Sequence, residues 1–322
     1  MLLLYCLIFI ISCSALYLSG NWLIDSLKRI SKFLHWRGFL IAFFIVALAS
    51  TIPNLFVGIS SAIHNIPQLS FGDIVGNNLV ALTVAVALSV LIGKKPIPTD
   101  GKILERSALF TSFVAILPML LLWDGTLGRG DGIILLAVFF FYVLWLASNK
   151  ERFKVFAGNQ EAQVPKIIRE FKAFFKDVGK VLISLTLLLL AAEGIVKSAQ
   201  FFAIHFNLSL PIIGILVVGL GNALPEIRFA IASVKAGETE MILGNLMGAV
   251  IMPATLVLGI VALICPIVIT DFTPFAVARI FMIIAAITFY VFSRRHKKIT
   301  QQEAIILFLV YILFVIIEIL IK

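Results

Sequence analysis

The stretch GNALPEIRF, Gly221 to Phe229, carries an amide, a proline and a carboxylate inside an otherwise apolar run from Leu208 to Ala236. A proline cannot donate a backbone hydrogen bond and collides with the preceding turn, so a helix break is expected at Pro225. Carbonyls freed at membrane depth are tolerated only where protein or a water-filled cavity receives them. They are good ligands for a hard cation, and a carboxylate beside them supplies the charge. Glu226 is therefore the expected ion ligand. The first half holds a similar stretch, STIPNLFVG, with Ser50, a second expected break at Pro53, and Asn54 in the place of Glu226.

These residues need long apolar elements to hold them. The chain has 322 residues, 61% hydrophobic and 13% charged, with a mean hydropathy of +1.11. A soluble domain carries about a quarter charged residues, so the composition is that of a membrane protein. Runs of about 20 apolar residues cross a bilayer as helices. Ten are read, at 1–19, 38–63, 69–93, 107–124, 131–148, 178–204, 209–235, 239–265, 273–293 and 303–321. The expected fold is an all-α polytopic membrane protein.

The net charge of +9 sits in alternate loops, where 21 of the 26 Lys and Arg residues lie on one side. That placement is a topology signal rather than a nucleic-acid surface. Basic residues stay in the cytoplasm during insertion, so both termini are expected outside. The N-terminal run lacks the preceding Lys or Arg of a signal peptide and reads as a first spanning helix. Cys6, Cys13 and Cys265 have no metal-type spacing and read as small residues facing lipid or neighbouring helices.

The chain also repeats itself. Asn21 to Ala62 aligns without a gap on Glu193 to Val234, with Pro53 on Pro225, Ser26 on Ser198 and Ser61 on Ser233. With a four-residue gap, DIVGNNLV (Asp73 to Val80) then falls on MILGNLMG (Met241 to Gly248), and Asn77 on Asn245. Five spans per half, an odd number, require two inverted repeats, the arrangement of transporters whose site lies near the midplane. The halves are 1–148 and 178–322, joined by a basic linker over 149–177. In the stretch from Asn149 to Lys180, Ile167, Ile168, Phe171, Phe174, Phe175 and Val178 recur at helical spacing, as in a helix lying on an anionic lipid surface.

At these residues the chain resembles the calcium/cation antiporter superfamily, which includes the sodium/calcium exchangers. Its two inverted repeats each carry an early stretch like G-T-S-x-P-E and a later G-N-x-x-G-S-N. Here the second repeat reads GLGNALPE and later GNLMGA, and the first reads ALASTIPN and later GNNLVA. The family has one glutamate per repeat, and by position only Glu226 remains. The hydroxyl and amide that follow the later Gly-Asn fall on Ala81 and Leu82, and on Ala249 and Val250. The resemblance implies a secondary active cation antiporter working by alternating access, with no enzyme activity and no cofactor beyond the transported Ca²⁺, Na⁺ or H⁺. Glu226 is its implied metal ligand, with Asn54, Ser50, Asn222, Asn77 and Asn245 as neutral oxygen donors.

One carboxylate leaves Ca²⁺ with about one uncompensated charge in a low-dielectric site, which is costly. The alternatives are therefore a monovalent cation or proton exchanger, a Ca²⁺ site completed by carbonyls, or a non-transporting scaffold or sensor. The implied partners are membrane lipid and small inorganic cations, in the cytoplasmic membrane of a prokaryote. Nothing in the sequence sets an oligomeric state.

Among the other charges, Arg228 points to a different helix face from Glu226 and is expected to snorkel or pair elsewhere, the alternative being a fixed cation near the site. Glu193 and Lys197, one turn apart, should pair with each other. Asp73 reads as a helix-start residue or an entry ligand at the outer mouth. Glu238 and Glu240 read as solvated, Glu318 as interfacial, and His64 and His205 as isolated.

Overall fold

In hydrocarbon every backbone polar group needs an internal partner, so apolar runs of this length fold as helices. The computed structural model describes residues 1–33, 39–99, 102–147, 167–236, 239–269, 273–295 and 297–320. The first half contains α1 (Leu2–Phe33), α2 (Phe39–Ile63) and α3 (Pro67–Val80), which runs through a π turn at Ala81–Ala85 into α4 (Val86–Gly93). It continues with α5 (Lys102–Leu121) and α6 (Arg129–Ala147). The second half opens with α7 (Ile167–Phe206), then α8 (Leu210–Ile213), a π turn at Gly214–Val218 and α9 (Gly219–Ala236). It closes with α10 (Thr239–Met252), a π turn at Pro253–Val257, α11 (Leu258–Ile264), α12 (Thr273–Arg295) and α13 (Gln301–Leu320). Seven helical runs among the described residues are long and apolar enough to cross a membrane, and Thr51–Ile63 and Leu210–Leu224 are shorter apolar pieces. The fold is the expected all-α membrane fold.

The repeat is visible in the elements themselves. α3 with its π turn and α10 with its π turn share every boundary at one separation, the 172 residues that separate Asn77 from Ala249. Each π turn also carries a threonine that bonds back to a carbonyl one turn earlier, Thr83 to Leu79 and Thr255 to Ile251. The four-residue gap is thereby overturned. Asp73 stands opposite Asn245, Gly72 opposite Gly244, Gly76 opposite Gly248, and Asn77 opposite Ala249. A slip of four is about one helical turn and keeps the same face, so periodicity alone cannot detect it.

Two short antiparallel pairs tie the halves together. β1 (Ile97–Pro98) pairs with β4 (Lys298–Ile299), and β2 (Thr126–Leu127) with β3 (Ile267–Val268). β1 and β3 follow the third helical run of their halves, while β2 and β4 join the last two. An inverted two-fold relation exchanges one pair for the other.

α3 is enclosed by α2, α8, α9 and the π turn at Gly214–Val218. Glycines let the backbones meet there. A Cβ on Gly72 would strike the Pro211 carbonyl oxygen, and one on Gly76 that of Ile215. From the other side, a Cβ on Gly219 would lie 2.7 Å from the Asp73 carbonyl oxygen. Small residues allow this close approach, which in membranes is driven by packing rather than by water.

Outside this centre α1 and α7 run along each other, with Tyr5 stacked on Phe201 at 4.0 Å between ring centroids. α7 begins at Ile167, so the amphipathic segment from there to Val178 is the extension of a spanning helix and not a separate surface helix. Residues 149–166 of the expected linker lie outside the described residues. Near the start of the α7 span, Arg29 of α1 donates to Asp177 through Nε and Nη2, at 2.8–2.9 Å. α13 starts with a capping box: Glu303 accepts the Thr300 backbone N–H at 2.8 Å, and the Thr300 hydroxyl accepts the Glu303 N–H at 3.4 Å.

Candidate functional site

The glycine crossing of α3 on the α8–α9 segment brings Asp73 beside Asn222. Asn222 donates its amide N–H to Asp73 Oδ1 at 2.8 Å, and both side chains are buried. Glu226 follows Asn222 by one helical turn on α9, the i,i+4 spacing that puts two side chains on one face. Since Asn222 holds Asp73, Glu226 lies on the face of α9 that meets Asp73. Asp73 Oδ2 and Glu226 Oε2 are both buried without a hydrogen-bond partner. Asn77, one turn along α3 from Asp73, donates to the Ala249 carbonyl at 3.3 Å and leaves its own Oδ1 buried and unpartnered. Asp73 and Glu226 thus each keep an unpartnered oxygen on the two helices that cross, while Asn77 lies against α10.

Among the described residues neither carboxylate has an ion pair. Leaving a buried charge uncompensated costs about 3–5 kcal/mol. The side-chain hydrogen-bond partner of Asp73 is a neutral amide, that of Asn222. Beside it, Pro225 lacks the N–H that the Gly221 carbonyl would accept in an ordinary helix.

The other expected site residues are placed as follows. Asn54 is buried on α2, and Asn245 is half-buried on α10. Ser50 lies on α2, but its side chain falls outside the described residues. The helix breaks are corrected: α2 passes through Pro53 and α9 through Pro225 without interruption. One proline removes one backbone bond, which neighbouring helices can make good. The irregular backbone is found in the π turns instead, and such bulges often accompany functional sites.

Asp73 is the residue that sequence reading misplaced. It is neither a helix start nor an exposed mouth residue but is 1% exposed within α3. The signal was present, since continuing the ungapped repeat sets this acid against Asn245.

Arg228 donates to the Tyr17 hydroxyl at 2.8 Å and so pairs with α1. Glu193 bonds Lys197 at 3.1 Å as expected, but His64 is not isolated: its Nε2 lies 3.2 Å from Glu193 Oε1. The Ser60 hydroxyl donates to Glu193 Oε2 at 3.1 Å, which completes a polar tie between α2 and α7. His205 stacks on Phe201. Glu318 is buried rather than interfacial, with neither oxygen partnered. Glu238 and the Glu240 side chain lie outside the described residues.

Known proteins share this architecture. The inner membrane protein YrbG of Escherichia coli K12 is 30% identical over 230 residues, 69% of this chain and 68% of that protein. The sodium/calcium exchanger MaX1 of Methanosarcina acetivorans is 22% identical over 337 residues, 92% of this chain and 93% of that protein. The sodium–calcium exchanger NCX_Mj, in a structure soaked with 10 mM Na⁺ and 10 mM Sr²⁺, superposes with a TM-score of 0.64 at 23% identity, covering 98% of both chains. The family model described as sodium/calcium exchanger protein matches residues 4–147 and again 177–320. The matched residues take in nearly all of both halves, and the chain belongs to the sodium/calcium exchanger family of integral, multi-pass membrane cation antiporters.

Proposed function

We propose that this protein exchanges cations across a prokaryotic cytoplasmic membrane by alternating access, through a midplane site centred on Glu226. The observation that carries this reading is the buried, unpartnered Glu226 Oε2 at the meeting of the two repeats. Asn54, Ser50, Asn222, Asn77 and Asn245 are the neutral oxygen donors of the reading, with Ca²⁺, Na⁺ or H⁺ as the transported species. The exchangers named above support the same class of cargo. The division into halves at 1–148 and 178–322, with a linker over 149–177, draws support from the two separate family matches.

In this reading α1 and α7 form the moving pair. They pack mainly on each other, and α1 reaches the site helix α9 through Tyr17 and Arg228. Binding would neutralise the site, and the pair would slide to expose it to the other side. Asn54, neutral where the family carries a glutamate, favours a second reading in which only monovalent ions or protons move.

The test is ion flux into proteoliposomes under imposed Ca²⁺, Na⁺, K⁺ and proton gradients, with Glu226→Gln measured beside the wild type. Ca²⁺ flux that vanishes in the variant supports exchange of the divalent ion. Flux of monovalent ions or protons alone selects the second reading. A folded protein silent in every gradient would sink both.

A further inference from the structure

We propose that Asp73 supplies the second carboxylate of the cation site, so that the charge absent from Asn54 is carried instead on α3. The inference rests on Glu226 as the charged ligand and deepens that reading by assigning its partner and the ion class the pair selects.

Three observations carry it. First, the corrected register shows a double exchange between the repeats. Position 54 is an amide where its counterpart 226 is a carboxylate, and position 73 is a carboxylate where its counterpart 245 is an amide. Each half contributes one acid and one amide at these positions, but from opposite helices of the hairpin. Second, Asp73 and Asn77, one turn apart on α3, are 1% and 0% exposed and each keeps an oxygen with no partner; Asp73 meets Asn222 of α9, and Asn77 the Ala249 carbonyl of α10. An unpartnered buried oxygen is costly, and a cation placed where α3 meets α9 and α10 removes that cost from both. Third, Asn222 donates to Asp73 Oδ1, which fixes the carboxylate and leaves Oδ2 as the free edge.

The charge then decides the ligand class. A divalent cation between Asp73 and Glu226 gives a neutral site, while a single Na⁺ leaves one negative charge uncompensated at the same depth. Ca²⁺ takes six to eight oxygens, generally with several carboxylates among them. The two acids, Asn77 and a carbonyl near Pro225 begin such a set. The first-repeat amide at Asn54 then no longer argues against a divalent ion.

The experiment is equilibrium binding of Ca²⁺ and Na⁺ to the purified full-length protein in detergent. It compares wild type, Asp73→Asn, Glu226→Gln and the double variant Asp73→Asn with Asn54→Glu. Asp73→Asn is expected to weaken Ca²⁺ binding on the order of 100-fold, as removal of one partner from a buried charged site does. The double variant, which returns the acid to position 54, should recover most of that loss. Wild-type Ca²⁺ affinity in Asp73→Asn, with loss only in Glu226→Gln, overturns the proposal and leaves the antiporter reading standing. Absence of cation binding by the wild type overturns both. A measurement on the unsubstituted protein covers the case in which Asp73→Asn does not fold. Ca²⁺-induced infrared difference spectra of protein labelled with ¹³C-aspartate should show a shifted carboxylate band, and a spectrum without any aspartate shift refutes the assignment.

Discussion

At the scale of single residues, the proposed site depends on one amide holding one acid. Asn222 gives its N–H to Asp73, and a hydrogen bond to a charged acceptor contributes about 1.5–3 kcal/mol. Asn222→Ala should therefore lower Ca²⁺ affinity by roughly tenfold, with the folded yield retained. Asn222→Gln, which keeps the amide on a longer stem, should lose less. Equal affinity in Asn222→Ala and wild type, by the same binding measurement, would show that Asp73 is held by other means. Arg228 supplies the contrast, since it bonds Tyr17 and no site acid. Glu226 and Asn222 were legible in sequence because polar groups inside an apolar run must have a reason. Asp73 was not, because an acid near the start of an apolar run has an ordinary explanation as a helix-start residue. Only the burial and the partner across the crossing distinguish the two cases.

At the scale of elements, the proposed site rests on α3 lying against the α8–α9 segment with backbones in contact. Gly76 has no room for a side-chain carbon beside the Ile215 carbonyl. Overpacking of this kind costs about 1–3 kcal/mol when neighbours can yield, and a backbone carbonyl yields little. Gly76→Ala should lower the thermal midpoint in detergent and weaken cation binding together, because the crossing also sets Asp73 against Asn222. Gly179 in α7 meets nothing within 4 Å, so Gly179→Ala should be neutral or stabilising by about 1 kcal/mol. If both substitutions behave alike in a melting assay, the close crossing is not what positions the site. The helices themselves were legible from apolar length, and the repeat from the paired prolines. The π turns were not, because nothing in the pattern of apolar residues separates a five-residue π turn from the helix around it. Their equal spacing in the two halves is what corrected the register.

At the scale of the whole molecule, the strand pairs and the charge asymmetry have to agree on which loops share a side. β1 pairs with β4 next to Lys94, Lys95, Lys297 and Lys298, while β2 pairs with β3 next to Asp124 and Asp131. Basic loops are retained in the cytoplasm, so the first pair should lie inside and the second outside, with both termini outside. In a background with Cys6, Cys13 and Cys265 replaced, Thr126→Cys together with Val268→Cys should cross-link, since those positions face each other across the ladder. An impermeant thiol reagent added to intact cells should label Thr126→Cys and should not reach Lys298→Cys until the membrane is opened. Labelling of both from one side would break the inverted repeat, because an odd number of crossings per half is what places β2 and β4, equivalent strands of the two repeats, on opposite faces. The same inversion sets Glu226 against Asn54 and Asp73 against Asn245, so each half brings one acid and one amide. A failure of the sidedness experiment would therefore overturn the topology and the alternating-access reading built on it, while the contact of Asn222 with Asp73 would stand.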